Sequence, residues 1–229
     1  MWHELLAVFF LGGFFGLDTT AAWQVLFSHP LFACVLVGLL FGQPQLGLFF
    51  GIIFELIWLY DIPVGGSKFP EGNLSTFIGL MIVLSLPSVS GDSQPWLILV
   101  SSIYVLIIAY FLGVTISWMR KMNRHLVEKA DRFAEEGNEK KIERMHLLSV
   151  FNAYLHGAFW AVIFYLTGLF LTEKVLHYLP NKAPFTMDQL QTVFLATGLV
   201  VMFDLFFSRK NIVYFFLGLI CGIGLGIIL

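Results

Sequence analysis

Glu55 is the residue whose chemistry most needs an explanation. It lies inside the apolar run Ile52–Tyr60, IIFELIWLY, which holds no other charge. An ionised carboxylate in hydrocarbon costs about 3 kcal/mol even on the lenient insertion scales, so Glu55 must face a partner or a polar cavity. Gly47 and Gly51 precede it at four-residue spacing, which on a helix puts all three on one face. Small residues there admit close helix packing and lead directly to the carboxylate. Two roles follow: acceptor of hydrogen bonds from substrate hydroxyls, or a carboxylate that pins an adjacent helix or a broken stretch of backbone.

Pro63-Val64-Gly65-Gly66-Ser67-Lys68-Phe69-Pro70-Glu71-Gly72-Asn73 follows immediately. Paired glycines such as Gly65 and Gly66 open backbone conformations closed to other residues and let a ligand approach main-chain amides. An ordinary turn carries the same composition. The six histidines, His3, His29, His125, His146, His156 and His177, are scattered without metal-ligand or catalytic spacing. No Ser/His/Asp or Walker-type arrangement stands out either, so the residues point to binding rather than to an enzyme, and to no cofactor. Cys34 and Cys221 both lie in apolar runs and read as small buried side chains.

The elements that must position these residues belong in a membrane. Of 229 residues, 58% are apolar and only 12% charged, against about 25% charged in soluble domains. The net charge of −2 gives no basic face for nucleic acid. Met1-Trp2-His3-Glu4 lacks the positive region of a cleavable signal, so the first apolar segment is expected to be membrane helix. Apolar segments fall at about 5–17, 31–42, 46–60, 74–90, 96–118, 147–171, 190–207 and 212–229. A perpendicular span needs about 20 residues, and the first three are shorter and are separated by Pro or charge. Broken or re-entrant segments are therefore expected in the N-terminal half, and these mark transport sites.

One region is strongly polar. Residues 120–146 hold Arg120, Lys121, Arg124, Lys129, Arg132, Lys140, Lys141 and Arg144, eight of the thirteen Lys and Arg, which places the segment in the cytoplasm. Leu126, Ala130 and Phe133 at helical spacing predict an amphipathic helix along the membrane surface, stopped at Gly137-Asn138. It reads as a docking platform for a soluble partner or as a solvated connector. Sidedness then puts Gly91–Pro95 and Lys174–Asp188 outside, and leaves residue 1 unassigned. The expected fold is an all-α integral membrane protein: a single permease domain over 1–229, with transmembrane groups at 1–118 and 147–229 and the amphipathic connector at 119–146. The residues alone allow a secondary transporter or channel, or a membrane sensor or scaffold.

The run from Leu17 to Thr76 resembles the N-terminal half of the IIC subunits of the mannose/fructose/sorbose family of the phosphoenolpyruvate-dependent phosphotransferase system. The likeness rests on Leu17-Asp18 after a Gly-rich segment, Pro30-Leu31 to Val37-Gly38, the Gly47, Gly51 and Glu55 spacing, Gly65, and Pro70-Glu71. It continues more weakly through Asp131, Gly137-Asn138 and Tyr214–Gly218. Pro70-Glu71 departs from the family's usual Pro-Asp. The resemblance implies a multi-pass, oligomeric permease of the bacterial inner membrane, partnered by a IID membrane subunit and served by soluble IIA and IIB subunits. It implies further that IIC and IID bind the sugar, and that the phosphate comes from a phosphohistidine on IIB and never rests on IIC. Asp18, Glu55, Gly65, Gly66 and Asn73 form the expected substrate-binding set.

Overall fold

A computed structural model describes residues 2–60, 70–86, 92–207 and 212–228. The described residues form eight α-helices: α1 (Trp2–Thr20), α2 (Pro30–Leu40), α3 (Pro44–Ile57), α4 (Gly72–Ser85), α5 (Gln94–Glu135), α6 (Glu139–Tyr178), α7 (Met187–Phe206) and α8 (Ile212–Ile228). A single 3₁₀ turn, Trp58–Tyr60, extends α3. Gly65, Gly66 and Gly91 lie outside the described residues. The all-helical membrane fold is as expected.

Proline and glycine set the lengths of the broken elements. Pro30 and Pro44 open α2 and α3, where the missing N–H costs nothing. Gly42, at φ +71°, closes α2 in a left-handed turn. There Gln43 N–H donates to Gly38 O at 2.7 Å and Gly42 N–H to Leu39 O at 3.3 Å, the 6→1 and 5→2 pair of a Schellman stop. At 1.5 Å per residue α2 and α3 reach only about 16 and 21 Å, well short of about 30 Å of hydrocarbon. They form a re-entrant hairpin, as the short segments at 31–42 and 46–60 predict.

Small residues hold that hairpin shut. A Cβ on Gly47 would run into the Cys34 carbonyl and lie 2.9 Å from the Cα of Gly38, and one on Gly51 would sit 3.0 Å from Pro30 O. The backbones of α2 and α3 thus touch directly, and the face that carries Gly47 and Gly51 carries Glu55 toward the start of α2. A similar contact joins α1 to α6, where a Cβ on Gly16 would lie 2.8 Å from Gly157 Cα.

At the centre stands α4, buried at every residue from Leu74 to Val83 and packed against α1, α2, α3, α5 and α6. Its hydroxyls cause no debt: Ser75 and Thr76 both donate to Gly72 O, at 2.9 and 2.7 Å. On the outside, α7 packs on α3, and Phe203 of α7 meets Phe215 of α8 edge to face at 4.8 Å.

Among the described residues two helices, α5 and α6, are long and apolar enough to cross a membrane. Residues 119–146 do not lie along a surface as expected. No Gly or Pro falls between Val114 and Glu135, so α5 has nothing to bend it and runs on past Arg120 along its own axis. It stops at Gly137 (φ +66°), where Asn138 N–H donates to Phe133 O at 2.9 Å and Gly137 N–H to Ala134 O at 3.0 Å. Asn138 then caps α6 by accepting from Lys141 N–H. The polar segment is therefore the tip of an α5–α6 hairpin, with the predicted stop in its predicted place. At the opposite end Ala183 N–H donates to Asp92 O at 3.1 Å. That bond brings the 92–95 and 179–186 connectors to one end of the bundle.

Replacing Gly47 by Ala will force α2 and α3 apart at a backbone contact, at a cost of about 1–3 kcal/mol. Thermal unfolding in detergent should show a lowered midpoint for Gly47→Ala and no lowering for Gly218→Ala, whose added methyl meets nothing within 4 Å and favours the helix. Equal midpoints would contradict the packing described.

Candidate functional site

Four helix ends meet around one cavity of about 400 Å³: the C-termini of α1 and α3 and the N-termini of α2 and α4. Its depth is fixed by α5. Glu71 N–H donates to Ala109 O at 2.8 Å, and Ala109 stands about 16 Å along the helix from Arg120, midway down the apolar stretch. Two helix N-termini, each worth about half a positive charge, therefore open into the interior of the bundle.

Three carboxylates answer them. His29 gives α2 no side-chain cap, and Glu55 supplies one from α3. Its Oε2 accepts from Leu31 N–H at 3.1 Å, and its Oε1 lies 2.9 Å from His29 Nδ1, which donates to it. Glu71 caps α4: its Oε1 accepts from Leu74 N–H at 3.0 Å, and Thr19 Oγ1 lies 3.4 Å from the same oxygen. Asp18, only 2% exposed, accepts from Val25 N–H at 3.0 Å and from Ser28 N–H at 2.9 Å.

Asp18 holds a strained loop. Trp23, Gln24 and Leu26 have φ of 63°, 51° and 71°, a left-handed conformation that costs a residue with a Cβ about 1–2 kcal/mol. Hydrogen bonds to a charged acceptor contribute about 1.5–3 kcal/mol each, enough to offset much of it. The loop brings Gln24, Leu26, Ser28 and His29 to the cavity wall. Asn73 joins it by donating from Nδ2 to Ser28 Oγ at 3.3 Å.

Trp58 lines the cavity too, but its ring is already engaged. Nε1 donates to Thr76 Oγ1 at 3.0 Å, Phe54 lies near-parallel at 6.4 Å, and Gly72 is pressed so close that any side chain there would strike the indole. It therefore shapes the wall instead of offering an open stacking face.

Of the expected substrate set, Asp18, Glu55 and Asn73 come together at this cavity, and Gly65 and Gly66 lie outside the described residues. Sequence reasoning missed His29, Ser28, Trp58 and Glu71 as wall residues. Glu71 had a legible signal, an acidic residue just before an apolar run, which is the pattern of a helix N-cap. His29 had none, because its partner is 26 positions away.

The lining is rich in hydrogen-bond acceptors, with few cations and no group of His, Cys, Asp and Glu suited to a metal among the described residues. Fold and site together define an all-helical integral membrane protein with a polar cavity at broken helix ends. The family model described as "PTS system sorbose-specific iic component" (EII-Sor) matches residues 2–229. The chain belongs to this family of phosphotransferase-system IIC components.

Relatives agree with that assignment. The fructose permease IIC component of Bacillus subtilis (strain 168) is 29% identical over 122 residues, 53% of this chain and 42% of that protein. The mannose-specific EIIC component of Escherichia coli (strain K12) is 22% identical over 195 residues, 85% of this chain and 70% of that one. The sorbose-specific EIIC component of Klebsiella pneumoniae is 24% identical over 198 residues, with the same coverage. The chain thus spans less than half of the fructose permease and 70% of the other two. Two solved structures share the fold across the whole chain and 92% of theirs. One, described as "Structure of membrane protein", has a TM-score of 0.71 at 22% identity. The other, the mannose transporter ManYZ in complex with microcin E492, has a TM-score of 0.62 at 21% identity.

Asp18→Asn tests the loop. An amide keeps one acceptor and turns its NH₂ toward the second backbone N–H, so the loop loses about 1–3 kcal/mol of support. Limited proteolysis should then cut within Trp23–Phe27 faster than in the parent protein. An unchanged rate would mean that Asp18 does not hold the loop.

Proposed function

We propose that this chain is the sugar-translocating subunit of a phosphotransferase system and that the 400 Å³ cavity is where the sugar sits. The observation that carries the proposal is the convergence of Asp18, Glu55 and Glu71 on one cavity at broken helix ends, midway along the apolar part of α5. Each carboxylate oxygen of Asp18 and Glu55 takes one of the hydrogen bonds described above and has a second acceptor site for a sugar hydroxyl. Fructose, mannose and sorbose in the relatives' names are all polyhydroxy compounds, the class such a lining recognises. Which of them this chain carries depends on hydroxyl stereochemistry.

In this reading the chain binds and moves sugar and hands it to a soluble IIB subunit for phosphorylation, with a IID subunit completing the membrane complex and IIA supplying IIB. Its own histidine at the site, His29, serves to hold Glu55 in place. The α5–α6 hairpin extends about 24 Å beyond Arg120, and its cations put it on the cytoplasmic side of the bacterial inner membrane. That is where the soluble subunits must dock.

Glu55→Gln separates binding from scaffolding. The amide oxygen still accepts from Leu31 N–H, so the protein should assemble, while sugar affinity falls by about 1.5–3 kcal/mol through loss of a charged acceptor. Isothermal titration with mannose, fructose and sorbose reads this out. Unchanged affinity for whichever sugar the parent binds would reduce Glu55 to a cap for α2.

Sidedness has its own check. Asn123 and Asn138 are both engaged in hydrogen bonds, so the better reporter is Lys140→Cys, exposed near the hairpin tip, in a background without Cys34 and Cys221. A membrane-impermeant maleimide should label it in inside-out vesicles and not in intact cells. Labelling of intact cells would reverse the orientation.

A further inference from the structure

Among the described residues, left-handed backbone outside glycine is confined to the loop between α1 and α2, at Trp23, Gln24 and Leu26. That loop is also a wall of the cavity, lined by Gln24 and Leu26. Strain of this kind persists only where the surrounding structure imposes it, and it gathers at ligand clamps and switches. Here the imposing group is the Asp18 carboxylate, which holds Val25 N–H and Ser28 N–H. The cost of three left-handed residues and the strength of those two bonds are of like size, so the observed loop stands by a small difference between them. Such a balance gives a segment two accessible conformations.

The helical walls have no comparable freedom. Gly38 meets Gly47 and Pro30 meets Gly51 backbone to backbone, and Gly72 at the start of α4 is pressed on Trp58. Position decides which way the loop opens. Ala22, near its start, packs with Leu17, Met119 and Ala153, and Met119 directly precedes Arg120. Glu71, on another wall, is bonded to Ala109, about 15 Å further from Arg120 along α5 than Met119 is. The loop therefore stands between the cavity and the cationic end of α5.

We propose that residues 22–27 are the gate between the cavity and the Arg120 side, latched shut by the hold of Asp18 on the Val25 and Ser28 amides. When the latch lets go, Trp23, Gln24 and Leu26 relax to ordinary backbone, and Gln24 and Leu26 leave the wall. The gate rests on the reading of the cavity as the sugar site, and it gives that site an exit toward the hairpin tip.

Thiol labelling reads the gate without any sugar. Leu59 lines the cavity and takes part in none of the hydrogen bonds above, so Leu59→Cys, in a background without Cys34 and Cys221, reports access. A membrane-impermeant methanethiosulfonate is applied in the vesicle orientation in which Lys140→Cys labels. Val25→Pro removes one latched N–H and steers Gln24 toward extended backbone. It should speed labelling about tenfold or more, the factor for losing a hydrogen bond to a charged acceptor. Gln24→Asn should slow labelling about threefold, because asparagine is several-fold enriched in the left-handed region. Its shorter side chain would by itself only widen the wall, so slowing comes from a loop that closes more of the time. Labelling left unchanged or sped by Gln24→Asn would overturn the proposal even if Val25→Pro fails to fold, and so would an unchanged rate in a folded Val25→Pro. Binding of mannose, fructose and sorbose is measured on the same preparations. A chain that binds none of them loses the sugar assignment, while the labelling rates still decide the gate.

Discussion

A helix broken in the middle of a membrane leaves backbone amides with no water to bond to, and each such group costs several kcal/mol unless a side chain takes it. Every distinctive feature of this fold's N-terminal half follows from that requirement. Glu55 takes the amide of Leu31 at the start of α2, Glu71 takes that of Leu74 at the start of α4, and Asp18 takes those of Val25 and Ser28 in the loop between α1 and α2. In the other direction, the positive ends of the helices and the donated hydrogens make three carboxylates tolerable where a bare one would be expelled. Break and acid are each stable only in the presence of the other.

Close packing is what lets this exchange take place. Glu55 reaches Leu31 because Gly47 and Gly51, one and two turns earlier on the same face, let α3 lie directly on the backbone of α2. Likewise Gly72 makes room for Trp58, whose indole then bonds to Thr76 on the first turns of α4. The cavity walls are thus set by backbone contacts that cannot slide without a clash. A cavity of this kind is preorganised: its acceptors are held by hydrogen bonds within the protein itself.

How much of this was legible in the sequence depended on the range of each interaction. The shared face of Gly47, Gly51 and Glu55 is a matter of local helical spacing, and the structure keeps it. So is the stop at Gly137-Asn138, and so is the shortness of the segments around Pro30 and Pro44. Of the two roles open to Glu55, the geometry shows the pinning of an adjacent helix directly, and the cavity beside it leaves the substrate role as the proposal. The partners themselves were not legible, because His29 and Leu31 lie 26 and 24 positions from Glu55 and no local pattern selects them. The left-handed turns at Trp23, Gln24 and Leu26 were equally hidden, since none of these residues favours that conformation and only the distant hold of Asp18 accounts for it. The surface-lying connector failed for a different reason. Amphipathic periodicity is present, but with no glycine or proline between Val114 and Glu135 the helix simply continues.

Hydrogen–deuterium exchange of the chain in nanodiscs, comparing the parent with Glu55→Ala, tests the central claim most directly. If Glu55 caps α2 in trans, the peptide that contains Leu31 and Phe32 should lose protection in Glu55→Ala while Gly72–Ser85 of α4, capped by Glu71, keeps it. Identical exchange at Leu31 in the two proteins would contradict the account, because the amide would then have been satisfied without the carboxylate.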